Sequence, residues 1–202
     1  MRQIVNYIEN MLPYMVLAIP LIAVWRTVAV MRLKKKGGAT TPAHEIGLLI
    51  FSVFLIGLAS QTIVPQIVLT HGGIEIIGVA PGNLDRVNLE LFKVIEQTYN
   101  SLFKNHNINY FLINFVGNIV MFMPVGFFVP LLWKNEGIKK VLLCGFLTSL
   151  FIELCQLPLD RGTDVDDLWL NTLGAVLGFL LFLLFRKLWP EFTKKFKVRK
   201  QE

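Results

Sequence analysis

Three long windows without a charged side chain constrain the fold of this chain more than any other feature. They cover residues 46–70, 108–133 and 168–185. A run of about 18 or more apolar residues matches the thickness of a bilayer's hydrocarbon core and is typical of a spanning helix. Only 17% of the residues are charged, against roughly 25% in average soluble domains. The chain is therefore predicted to be an integral membrane protein.

The pattern predicts an all-α polytopic membrane bundle of about five transmembrane helices, over 11–31, 46–69, 109–133, 138–158 and 168–188. Lys and Arg favour cytoplasmic loops close to helix ends. Four of them lie in 32–43, three in 134–140 and seven in 186–202. The N-terminus is therefore predicted to lie outside and the C-terminus in the cytoplasm. The apolar run near the N-terminus is not predicted to be a signal peptide, because its basic cluster follows it.

Three regions are predicted. Residues 1–80 hold two transmembrane helices and the start of an external loop, residues 81–185 form a core with three more, and residues 186–202 form a basic cytoplasmic tail. The net charge of +6 is explained by membrane orientation and by attraction to anionic lipid, so no nucleic-acid partner is expected. No metal site or cofactor is predicted, because the three histidines are scattered and no cofactor-binding loop is present.

The external loop over 70–107 begins with a turn-rich stretch and continues with apolar residues at helical spacing from Leu84 to Phe103. One interpretation is a helix packed on the outer ends of the bundle. The alternative is an interfacial helix that dips into the outer leaflet and meets lipid-linked ligands.

Polar side chains recur at one depth of three predicted helices. Because an α-helix rises about 1.5 Å per residue, Asn114, Glu153 and Asn171 are expected to lie at similar depths below the outer surface. Lipid cannot satisfy such groups, so they are expected to face one another or a wet cavity that opens outward. The predicted ligand-binding residues are Asn114, Asn118, Glu153, Gln156, Arg161, Asp164 and Asn171, with Arg161 as the cationic partner of Glu153, of Asp164 or of a ligand phosphate or carboxylate.

Small residues and a proline are expected to shape this cavity. Pro124 is predicted to kink the third helix, and close helix approach is predicted at Gly117, Gly126, Gly174 and Gly178. A purely structural alternative remains open, in which the buried polar residues hold helices together at about 1 kcal/mol or less each. Asp166 or Asp167 would then cap the fifth helix.

Two stretches carry a family resemblance, NFVGNIVMFMPVGFFVP at 114–130 and IELCQLPLDRGTDVDDLWLNTLGAVLG at 152–178. They resemble the VanZ-like family of bacterial membrane proteins over roughly residues 84–180. At 86–95, RVNLELFKVI has Leu91 where family members often have proline. The matching positions are Asn114, Gly117, Asn118, Phe122, Pro124, Gly126, Glu153, Gln156, Arg161, Asp164, Asp167, Asn171, Gly174 and Gly178.

The resemblance implies a multi-pass protein of the bacterial cell membrane with a role in teicoplanin-type glycopeptide resistance. The first hypothesis is a non-enzymatic protein that binds a lipid-linked peptidoglycan precursor or the lipoglycopeptide drug, with membrane lipid as a further partner. The second is a membrane enzyme that modifies a lipid-linked saccharide or surface polymer. Glu153 would then be a general acid or base, and Asp167 would position a nucleophile or a metal. A transporter is a weaker third option, since no inverted repeat is evident, and no oligomeric state is predicted.

Overall fold

The fold is known from a computed structural model that describes residues 2–70, 73–77, 87–134, 137–159 and 162–197. Side chains are described throughout these ranges except in 2–8, 66–70 and 73–77. Helices dominate them, so the predicted all-α class is confirmed. The helices are α1 Arg2–Lys35, α2 Pro42–Thr62, α3 Lys93–Tyr99, α4 Ile108–Tyr110, α5 Gly117–Leu132, α6 Ile138–Gln156, α7 Val165–Leu188 and α8 Pro190–Lys195.

Four described helices are long and apolar enough to cross a bilayer: Glu9–Lys35, Pro42–Thr62, Ile108–Leu132 and Val165–Leu188. The third of these is continuous, because the π-helical stretch Phe111–Val116 joins α4 to α5. The fourth predicted span corresponds to α6, whose 19 residues include Lys139, Lys140 and Glu153. Because of these three charged residues, α6 is not among the described helices that are apolar enough to cross a bilayer. That α6 crosses the membrane stays a prediction, as does the predicted orientation of the chain in the membrane.

The second predicted helix, 46–69, extends too far. α2 ends at Thr62, and Gln66–Thr70 is instead a strand, β1, which pairs antiparallel with β2, Gly73–Ile77. Pro65 explains the end of the helix, because proline lacks an N–H group and disfavours helical backbone at the residue before it. The β-branched residues that follow favour an extended chain.

The predicted external helix begins later than its apolar spacing indicated. Leu84 lies outside the described residues, and Val87–Asn88 is a short strand, β3, parallel to β4, Thr163–Asp164. Phe92 then has a φ of 67°, a left-handed conformation that interrupts the helix before α3 begins. A π-helical stretch, Asn100–Lys104, continues α3.

The apolar side chains of this segment mostly face away from the bundle. Val94 is buried at 4% exposure, which fixes one side of α3. The exposed members are Leu89, Leu91, Phe92, Ile95, Tyr99 and Phe103. This exposure favours the interfacial interpretation over a helix packed on the bundle ends.

Helices α5 and α7 run side by side in the same direction, with direct backbone contact. A Cβ at Gly126 would overlap the carbonyl oxygen of Ala175, one at Gly174 that of Ile119, and one at Gly178 that of Met123. Only glycine permits this approach. The prediction for Gly117 is wrong, because its nearest neighbour is the carbonyl oxygen of Leu112 in the same helix, at an ordinary 3.4 Å. Pro124 lies inside α5, and the predicted kink stays a prediction.

Candidate functional site

A cavity of about 90 Å³ lies between α2, α5, α6 and α7. Helix α5 contributes Asn118, α6 contributes Glu153 and Gln156, and α7 contributes Asp167 and Asn171. Asn118, Glu153, Gln156 and Asn171 were predicted as ligand-binding residues, whereas Asp167 was given a site role only under the enzyme hypothesis. The other lining residues are Leu58, Thr62, Met121, Phe122 and Ile152.

Glu153 is buried at 4% exposure and connects α6 to the start of α7. Its Oε2 accepts a hydrogen bond of 2.9 Å from the backbone N–H of Asp164. Asp164 is the N-cap of α7, since its Oδ1 accepts from the N–H of Asp166 at 2.9 Å. The same Oδ1 accepts from Asn88 Nδ2 at 2.9 Å. The cap is therefore Asp164, whereas the capping alternative expected Asp166 or Asp167.

Asn118 connects α5 to α7. Its Nδ2 donates to Asp167 Oδ1 and, at 3.1 Å, to the carbonyl oxygen of Asn114. Asn114 does not line the cavity, and its own Nδ2 donates to the carbonyl oxygen of Tyr110 at 3.2 Å. Asn114 therefore stands one turn behind the site and contacts its own helix, although it was predicted to bind ligand directly.

Ser149 belongs to the same network and was not predicted. It is fully buried, and its Oγ accepts from Asn171 Nδ2 at 2.9 Å and lies 3.3 Å from the carbonyl oxygen of Asp167. The signal was present in the sequence, because Ser149 precedes Glu153 by four residues and shares its helix face.

Helix α2 closes the cavity from a side that sequence patterning did not indicate. Gln156 Nε2 donates to the carbonyl oxygen of Thr62 at 3.2 Å, and Leu58 contributes an apolar wall. Because the acceptor in this contact is a backbone oxygen, the pattern of side chains in the sequence could not predict it.

The cavity is rich in hydrogen-bond acceptors. Gln156 Oε1 and Asn171 Oδ1 are buried without a hydrogen-bond partner among the described residues. Together with the carboxyl groups of Glu153 and Asp167, they make the lining rich in acceptor oxygens, and none of its described lining residues is basic. Such a lining suits a group that donates hydrogen bonds, namely a hydroxyl, an amide N–H, an ammonium group or water.

Asp166 fixes the segment that leads into α3 to the edge of this site. Its carboxylate is fully buried and accepts three hydrogen bonds, from the N–H of Phe92 at 2.6 Å, the N–H of Val94 at 2.7 Å and Trp169 Nε1 at 2.8 Å. Asp166 thus holds the first residues of α3 against the first turn of α7. Capping of its own helix, one alternative raised by the sequence, is not its role.

Arg161 lies outside the described residues, so its pairing with Glu153 stays a prediction. Among the described residues, no cluster of three or more His, Cys, Asp or Glu side chains forms a metal-binding group.

A family model described as VanZ/LLP1 matches residues 43–186, more than half of the chain. The chain belongs to the VanZ/LLP1 family. The predicted resemblance is confirmed and extends further than predicted, because the matched segment includes α2, which contributes Leu58 and Thr62 to the cavity. No curated protein and no solved structure matches the chain. Family membership and four apolar helices together identify a membrane protein of the VanZ/LLP1 family.

Proposed function

We propose that this VanZ/LLP1-family protein resides in the bacterial cell membrane and contributes to teicoplanin-type glycopeptide resistance. It does so by binding a lipid-linked cell-wall precursor or the drug through the polar cavity. The observation that carries the proposal is the convergence of five amide and carboxyl side chains from three helices on one cavity. Polar and ionisable groups inside membrane bundles are costly, and a role in binding or transport is their default interpretation.

The size of the cavity limits what can enter it. Pockets for drug-sized ligands have volumes of roughly 300–1,000 Å³, whereas this cavity has about 90 Å³. Only a terminal group of the precursor or drug would enter. The acyl part would lie along exposed apolar side chains of α3, such as Ile95 and Tyr99. Helix α3 is available for this contact because Asp166 holds its first residues beside the site.

Each site residue has a distinct task in this proposal. The open oxygens of Gln156 and Asn171 accept hydrogen bonds from ligand hydroxyl or amide groups, and Glu153 and Asp167 add negative charge. Asn118 orients Asp167. Arg161 is assigned to a phosphate or carboxylate of the ligand, as predicted from the sequence, because a planar guanidinium binds such groups in bidentate geometry.

A membrane enzyme is the second candidate, and one observation favours it. The carboxyl groups of Glu153 and Asp167 line the same small cavity, as a general acid or base and a positioning carboxylate would. The substrate would be a lipid-linked saccharide or a related surface polymer.

The first test is drug susceptibility of a teicoplanin-sensitive host that expresses the wild-type protein, Glu153→Gln, Arg161→Ala or Glu96→Gln. Glu96 is an exposed residue of α3 and serves as the matched control, with membrane abundance measured for every variant. We expect the wild type and Glu96→Gln to raise the inhibitory concentration several-fold and the two site variants to lose that effect. Site variants that protect as well as the wild type would show that the cavity is structural only.

Precursor profiles and binding measurements separate the two candidates. For a binding protein, the lipid-linked precursors stay chemically unchanged, and protection by each variant follows its affinity for the precursor. For an enzyme, a modified precursor accompanies the wild type and disappears in Glu153→Gln, although that variant still binds.

A further inference from the structure

A second cavity, of about 320 Å³, lies at the opposite end of the same helices. It forms where α5 and α7 end and where α8 packs back against them. Arg186 lies 19 residues after Asp167 in α7, which separates the two cavities by about 28 Å along the helix. Its lining residues are Pro130, Lys134, Phe182, Arg186, Thr193, Lys194 and Lys197.

Two of the four basic side chains of this cavity, those of Arg186 and Lys197, make contacts that hold them in place. Lys197 Nζ donates to the carbonyl oxygens of Pro130 and Trp133, at the end of α5, where the helix dipole favours a cation. The Arg186 guanidinium lies 5.5 Å from the centre of the Phe182 ring, and Lys197 Nζ lies 5.9 Å from it. Both distances are within the range of cation–π attraction.

The positive charge here is larger than the negative charge beside it. Four of the seven lining residues are basic and none is acidic. Glu191 in α8 forms an ion pair with Lys194 at 2.6 Å, but both side chains are exposed, so the pair is weak. A concentration of like charges in a concave site raises the local potential and attracts an anion.

The surroundings of this cavity are those of a membrane interface. Trp133, Trp189 and Phe192 are exposed around it, and aromatic side chains of this kind are enriched where a membrane meets water. A ligand with an anionic head and apolar chains would find partners for both parts.

We propose that this cavity binds the phosphate group of an anionic phospholipid, with the acyl chains against the exposed aromatic side chains of Trp133, Trp189 and Phe192. Basic cavities between membrane helices recognise lipid phosphates in this way. Free phosphate shares the head-group chemistry but lacks the acyl chains, so a lipid is the better fit. This site is separate from the polar cavity and does not depend on its function.

The test is lipid binding by the purified full-length protein, measured by native mass spectrometry with phosphatidylglycerol and with phosphatidylcholine. We expect retention of phosphatidylglycerol in preference to phosphatidylcholine. Arg186→Gln/Lys194→Gln should weaken phosphatidylglycerol binding roughly thirtyfold, because each basic residue near an anionic head group contributes roughly a factor of five. The control Lys93→Gln/Lys104→Gln removes the same charge at the other end of the molecule and should retain binding.

Several outcomes would overturn the proposal. Equal losses in the two double variants would show diffuse attraction in place of a site. Inorganic phosphate that competes as well as the lipid at equal concentration would identify a free-anion site. If Arg186→Gln/Lys194→Gln does not fold, Lys134→Gln alone tests the site. Lys134 is exposed, its loss should cost roughly fivefold, and an unchanged affinity would contradict the proposal.

Discussion

At the scale of single residues, Glu153 combines a structural contact with a position in the cavity, and two substitutions separate these roles. In Glu153→Gln the amide oxygen can still accept from the N–H of Asp164, so the free energy of unfolding should change by about 1 kcal/mol or less. In Glu153→Ala that buried N–H loses its partner, which costs about 1–3 kcal/mol. Unfolding in detergent measures both. If the glutamine variant is as unstable as the alanine variant, the negative charge of Glu153 is itself needed to stabilise the start of α7.

Asp166 offers a second residue-scale prediction. Its fully buried carboxylate accepts three N–H groups, so Asp166→Ala should lower the free energy of unfolding by about 3 kcal/mol or more, since each unpaired buried donor costs about 1–3 kcal/mol. Hydrogen exchange should accelerate first over residues 92–99, because α3 loses its attachment to α7. The control Glu96→Ala, exposed on α3, should leave that exchange unchanged. Unaltered protection in Asp166→Ala would refute the assigned role.

The sequence predicted the cavity residues for a physical reason. An amide or carboxyl group within an apolar helix is costly in lipid, so Asn118, Glu153 and Asn171 stand out from their neighbours. The helical rise placed Asn114 at the depth of Glu153 and Asn171, but it is Asn118 that lines the cavity. The same reasoning could not identify Thr62, because its backbone carbonyl, and not its side chain, accepts the hydrogen bond from Gln156. It also could not identify the partners of Asp166, two of which are the backbone N–H groups of Phe92 and Val94 at the start of α3.

At the scale of helices, the contact between α5 and α7 depends on glycine. A Cβ at Gly178 would overlap the carbonyl oxygen of Met123, so Gly178→Ala should destabilise the protein by about 1–3 kcal/mol through overpacking. The control is Gly117→Ala, where an added Cβ meets only ordinary contact. Alanine should stabilise that site by about 1 kcal/mol through its helix propensity. Thermal unfolding of both variants in detergent checks the contrast, and equal shifts would contradict direct backbone contact.

Element boundaries were harder to predict than the helices themselves. Hydropathy does not distinguish an apolar helix from an apolar strand, so the uncharged window over 46–70 concealed the change at Pro65 from α2 to β1. Similarly, helical spacing from Leu84 to Phe103 gave no sign that Phe92 adopts a left-handed conformation. Local backbone chemistry decides both boundaries, whereas apolar periodicity reports only the average tendency of a segment.

At the scale of the whole molecule, the two cavities have opposite chemistry. The described residues gather carboxyl and amide groups at one end of α5 and α7, and lysine and arginine at the other. Helix α8 belongs to the basic end. Its residue Lys195 accepts a hydrogen bond from Thr41 Oγ1 through its backbone carbonyl oxygen, which joins α8 to the start of α2. A basic end is the end that the membrane potential and anionic lipid hold in the cytoplasm. The polar cavity is then expected to lie toward the cell wall.

This orientation is testable in intact cells with a variant in which Cys144 and Cys155 are replaced by serine. Asn105→Cys, at an exposed position after α3, should react with a membrane-impermeant maleimide. Lys36→Cys, exposed at the basic end, should react only after permeabilisation, because the basic segments are predicted to lie in the cytoplasm. The reverse pattern would place the polar cavity near the cytoplasm, out of reach of a drug that acts outside the membrane. The resistance proposal would then fail, while the anionic-lipid site, which binds from either leaflet, would stand.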